Sequence, residues 1–168
     1  NWYDAACEYY KRTWSHDGRL SALPDEWQRE LVALMLVIRE VNNGAYLQFF
    51  VNHGREVYEY ASRSLGTLGA HRTREIVDSC QLLIDEHAPK EAQSEDRSAL
   101  LTNECIGPDG ETIKEPGSVL PDWVLDRVWE LSDEFMAYPE DVGDLAQAHF
   151  GPLIENDVRT ESEGGDNG

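Results

Sequence analysis

Apolar residues recur at helical spacing along most of the chain. After Leu23-Pro24-Asp25, the positions Trp27, Leu31, Leu34, Met35 and Ile38 share one face and predict a helix over 25–42. Asn42-Asn43-Gly44 ends it, with Gly44 suited to the left-handed position after a helix. Ala45 to Asn52 reads as a shorter amphipathic piece that stops at His53-Gly54. Val57, Ala61, Leu65 and Leu68 predict a helix from Glu56 to Leu68, closed by Gly69. Ile76, Cys80, Leu83 and Ile84 predict another from His71 to His87, ended by Pro89. Pro121-Asp122 opens a helix running to about Ala137, with proline at the start and an acid in the first turn. Pro139-Glu140-Asp141 opens the next by the same logic, to about Phe150.

Between these segments the pattern breaks. Residues 88–98 are polar, and Gly107-Pro108-Asp109-Gly110 and Glu115-Pro116-Gly117 punctuate a stretch unsuited to a helix. The expected architecture is all-α: a compact bundle of about six to eight helices, with one small hairpin or irregular loop over 104–120. Residues 1–159 are expected to form a single helical domain, and 160–168, acidic and Gly-rich without an apolar anchor, a flexible tail. A chain of 168 residues, 40% hydrophobic, can bury roughly two thirds of its unfolded surface. It therefore requires neither disulfide nor metal.

Charge changes the picture more than composition does. The formal net charge is -19. Residues 1–90 hold 13 acids and 10 bases, a balance of -3, whereas 91–168 hold 20 acids and 4 bases, a balance of -16. Such a field repels nucleic acid and anionic membrane and attracts basic proteins in a salt-dependent way. Solubility or a salt-rich habitat explains the same acidity. Cys7, Cys80 and Cys105 are odd in number and form no CxxC pair, which points to a reducing, cytoplasmic setting. No apolar run approaches the ~18 residues of a membrane span. Asn1-Trp2-Tyr3-Asp4 lacks a secretion pattern and an initiator Met, so the start reads as processed or trimmed.

The acidity has a local pattern. At 100° per residue, Asp122, Asp126, Glu130 and Asp133 fall within about 80° of one another, while Val124, Val128, Leu131 and Phe135 cluster opposite. Residues four apart rise ~6 Å along a helix, comparable with the spacing of successive phosphates on a nucleic-acid strand. Glu134, Glu140, Asp141 and Asp144 extend the carboxylates, and Glu155 and Asp157 follow downstream. Trp123 and Trp129 flank the stripe, either as binding anchors or tucked into the domain edge.

A second pattern lies upstream. Glu40-Val41-Asn42-Asn43-Gly44-Ala45-Tyr46-Leu47-Gln48-Phe49-Phe50-Val51-Asn52 resembles the E-x-N-N-G-G-[FY]-x-Q-[FY]-[FY]-x-N signature of a bacterial domain-of-unknown-function family that includes DNA-mimic proteins. Ala45 stands where the family carries its second Gly. The likeness continues through Ala61, Leu65, Gly69 and Ala70, and through Leu131, Asp133, Phe135, Tyr138, Pro139, Glu140 and Asp141, covering roughly residues 25–155. It implies an all-helical fold and, for some members, an acidic surface that occupies the DNA-binding face of a transcription factor or other DNA-binding protein. Glu40, Asn42, Asn43, Gly44, Gln48 and Asn52 read either as a structural cluster satisfying buried backbone groups around the Gly44 turn or as a ligand pocket.

Enzyme signatures do not emerge. His16, His53, His71, His87 and His149 occur singly, without ligand spacing for a metal, and no nucleophile elbow or phosphate-cradling loop is present. The expectation is a non-enzymatic protein with no cofactor. It would bind a basic DNA-binding protein, with no direct nucleic acid, no membrane and an open question of homodimerisation. An immunity- or antitoxin-like protein neutralising a non-DNA-binding partner, and a small-ligand binder centred on Asn42, Gln48 and Asn52, are the alternatives.

Overall fold

The segment 31–37 is apolar on every side, and a helix of that kind has to be surrounded. In the computed structural model, which describes residues 1–94, 96–106 and 112–164, it is. Leu31, Val32, Ala33, Leu34, Met35, Leu36 and Val37 are all buried on helix α2, Glu26–Thr67. Around it pack α1 (Trp2–Arg12), α3 (His71–His87), α5 (Asp122–Met136) and α6 (Val142–Gly164). The short α4 (Lys90–Ser94) lies between α3 and the hairpin. The fold is therefore the all-α bundle expected, with six α-helices among the described residues. A two-stranded antiparallel hairpin, β1 Thr102–Ile106 and β2 Thr112–Pro116, occupies much of the region read as a hairpin or loop.

Several expected boundaries differ. The helices predicted over 25–42, 45–52 and 56–68 form one rod with two breaks, at Gly44-Ala45 and at Gly54. Gly44 is extended (φ -164°) rather than left-handed. A Cβ there would meet Gln48 Oε1 at 1.8 Å, so a larger residue would have to move the Gln48 side chain, which serves Glu40. The left-handed position is Ala45, at φ 63° and ψ 177°, a region that strongly favours glycine. Ala45→Gly is accordingly expected to stabilise the fold by about 1 kcal/mol, read as a rise in the urea midpoint. Gly69 does end the rod as expected. Its amide bonds Gly66 O, the Ala70 amide bonds Leu65 O, and φ is 75°, the pattern of a Schellman turn.

Helix α1 is an element that periodicity left unplaced. Its buried residues are only Ala6 and Tyr9, with the rest of its apolar contact made by the half-buried Trp2, Tyr3, Ala5, Cys7 and Tyr10. Helix α6 starts at Val142 rather than Pro139 and continues past Phe150, through Pro152, to Gly164. Buried Phe150 and half-buried Ile154 hold it on the core. Tyr9 Oη donates to Asp157 at 2.6 Å, and Arg12 pairs with Glu161 at 3.0 Å. Residues 160–164 continue α6; 165–168 lie outside the described residues.

Candidate functional site

The acidic helix is positioned by what its buried face meets. Val124, Val128, Leu131, Ser132 and Phe135 are buried. Just after the break at Gly44-Ala45 the Tyr46 amide donates to Ser132 Oγ at 3.1 Å, and Ser132 Oγ donates in turn to Val128 O at 2.7 Å, tying α5 to the break. On the other flank Arg72 of α3 pairs with Glu134 at 2.6 Å, and the Trp123 ring meets His87 edge-on at 4.8 Å. These contacts fix the rotation of α5 about its own axis.

That rotation leaves Asp122, Asp126, Glu130 and Asp133 exposed on one face. Asp122, Asp126 and Asp133 have no ion-pair partner among the described residues, whereas Glu130 pairs with Arg127 at 2.9 Å. Glu134 is shared between Arg72 and Arg127, the latter at 3.6 Å. Trp123 and Trp129 are 56% and 50% exposed, so both stand at the rim of the stripe instead of tucking into the domain edge.

The remaining predicted acids have other occupations. Glu140 accepts from the amides of Arg72 (2.7 Å) and Thr73 (2.9 Å) and from the Thr73 hydroxyl, and so caps the N-terminus of α3. Desolvation pushes its carboxyl up, but these hydrogen bonds outweigh it and leave the carboxyl below its ordinary range. Asp141 Oδ1 accepts the Asp144 amide at 3.0 Å and caps α6, with Asp144 in the first turn. Asp157 turns inward to Tyr9 and lies within 3.4 Å of Gln28, and so stands apart from the stripe.

The upstream cluster is built around a buried carboxylate. Glu40 Oε1 receives Arg39 Nε at 3.1 Å and Nη2 at 2.9 Å; Oε2 receives Gln48 at 3.1 Å and Asn52 at 2.9 Å. His53 Nε2 lies 3.5 Å from Oε1, yet is buried with no hydrogen bond. The expected service to backbone groups holds only for Asn42, which donates to Ile38 O at 2.7 Å and accepts from Tyr138 Oη at 2.8 Å. Gln48 and Asn52 serve Glu40 instead, because the break at Gly44-Ala45 folds the two arms of α2 so that residues eight and twelve apart meet. Asn43 is exposed.

Among the described residues no group of three His, Cys, Asp or Glu is arranged to hold a metal, and no helix is long and apolar enough to cross a membrane. The family model described as DMP19-like protein matches residues 21–156. No curated protein and no solved structure matches the chain.

Proposed function

The chain belongs to the DMP19-like family, and from that premise we propose that it is a non-enzymatic protein-binding module that mimics DNA and occupies the DNA-binding surface of a transcription factor or other DNA-binding protein. The observation that carries this reading is the exposed face of α5. Three carboxylates there, Asp122, Asp126 and Asp133, have no cationic partner among the described residues, and with Glu130 they repeat at near-phosphate pitch. Like charges at i, i+4 cost a few tenths of a kcal/mol per pair, so folding alone does not favour this arrangement. The surface is rigid because Ser132, Arg72 and His87 fix the helix beneath it, and a rigid charge array loses little entropy on docking.

The half-exposed Trp123 and Trp129 support a second reading, an interaction protein that grips a partner which does not bind DNA. One experiment separates them. The chain is used as bait in lysate of the source cell, at low salt and at about 0.5 M, where screening is complete within a few ångström. Mimicry predicts capture of a DNA-binding protein that is lost at high salt and displaced by free duplex DNA. Capture indifferent to both, and abolished by Trp129→Ala, would replace mimicry with the second reading.

A further inference from the structure

Beside the end of α5 lies a cleft of about 360 Å³ where α1, α2, α3, α5 and α6 converge. Its inner wall is apolar, formed by Ile38, Phe135 and Val142. The charged residues in its lining are two carboxylates, Glu140 and Asp141, with no base among them. The rings of Trp2 and Tyr138 complete it.

Two features bear on what this cleft could hold. Tyr138 sits at φ 50°, a strained backbone for a residue with a side chain, and its hydroxyl is tied to Asn42, yet the residue is 59% exposed. The fold thus holds an aromatic ring at the cleft in a fixed pose. Asp141, also exposed, uses Oδ1 as a helix cap and leaves Oδ2 without a hydrogen bond among the described residues.

An apolar slot with carboxylates and aromatic rings matches one side chain best. Arginine lays its stem along apolar surface while its head stays polar, stacks its planar guanidinium on rings and bonds carboxylates in a fork. We propose that this cleft receives a single arginine side chain of the bound protein, its stem against Ile38, Phe135 and Val142 and its guanidinium between Tyr138 and Asp141. The inference rests on the reading of the partner as basic and gives that partner a point of register beside the diffuse stripe.

The test needs no partner. A capped arginine (N-acetyl-arginine methylamide) is titrated into the labelled protein and followed by the amide resonances of Thr73, Val142 and Gly143. Saturable shifts at these amides are expected, with capped lysine and capped leucine each roughly tenfold weaker, the equivalent of about 1.4 kcal/mol. Asp141→Asn keeps a capping oxygen but removes the charge, and is expected to weaken the arginine several-fold. Gly143→Leu plugs the cleft. A Cβ at Gly143 meets only Asp141 Oδ1, at 3.4 Å, so the variant is expected to keep its melting temperature while losing the shifts. Equal response to leucine or lysine, shifts spread along α5, no shifts at all, or full binding by folded Gly143→Leu would each overturn the assignment. None of these results bears on capture through the stripe, which is tested separately.

Discussion

Glu40→Leu is expected to lower stability by about 2–3 kcal/mol, the loss typical of removing a buried carboxylate that accepts several hydrogen bonds. Leucine removes the acceptor of Arg39, Gln48 and Asn52 together. Arg39 and the exposed Asn52 can turn to water, but the half-buried Gln48 amide keeps part of its desolvation cost. The urea midpoint reads the effect, and a loss under about 1 kcal/mol would show that the cluster is not a stabilising hub. The same group makes the fold acid-sensitive. Burial pushes the Glu40 carboxyl up, but hydrogen bonds from Gln48, Arg39 and Asn52 and the nearby His53 bring it down from 4.5 to about 2. The unfolded chain therefore binds a proton that the folded chain refuses. About 3 kcal/mol of stability is present above pH 4.5 and is lost as pH falls toward 2. Burial also lowers His53, so the loss begins as pH drops below its ordinary value of 6.5. Glu40→Gln is expected to flatten the part of this slope between 4.5 and 2, comparing urea midpoints in that window.

What the sequence makes legible follows from how far each interaction reaches along the chain. The period of Leu31, Leu34, Met35 and Ile38 is a local signal and yields the central helix; the apolar face of α5 and its opposite acidic stripe follow from the same arithmetic. The breaks at Gly44 and Gly54 are also local, and the residues there mark them, though not whether the chain turns away or resumes its helix. At the first break the contact that meets the resuming helix comes from Ser132, 86 positions away, which accepts the Tyr46 amide. Glu140 has the composition of a surface acid, yet it caps a helix 67 residues upstream. No pattern short of a fold announces such a pairing. The exposure of Trp123 and Trp129 is hidden for a related reason: their positions at the edge of the helical wheel are compatible with either environment, and the neighbours decide. Helix α1 escapes notice because only Ala6 and Tyr9 are fully buried and its other apolar residues are half-buried, which leaves no clean apolar stripe.

The double variant Asp126→Lys, Glu130→Lys is expected to reduce affinity for the captured DNA-binding protein by at least about a hundredfold, because it sets like charges against a basic surface where opposite charges stood. Both residues are exposed, Asp126 has no ion-pair partner among the described residues, and Arg127 keeps Glu134 when Glu130 is lost, so stability should move by no more than about 0.5 kcal/mol. The informative control carries the same change in charge elsewhere. Glu56 and Glu59 are exposed on α2, within the half of the chain whose charge is nearly balanced. Glu56→Lys, Glu59→Lys alters the total charge identically while leaving α5 intact. A long-range field would weaken binding in both variants to a similar, salt-screened degree. A surface that imitates a phosphate row would lose binding only in the first, since pitch and position on α5, not total charge, make the resemblance to a strand. Equal losses in the two variants, measured by titration calorimetry at one salt concentration, would reduce the acidic face to a source of solubility and general attraction.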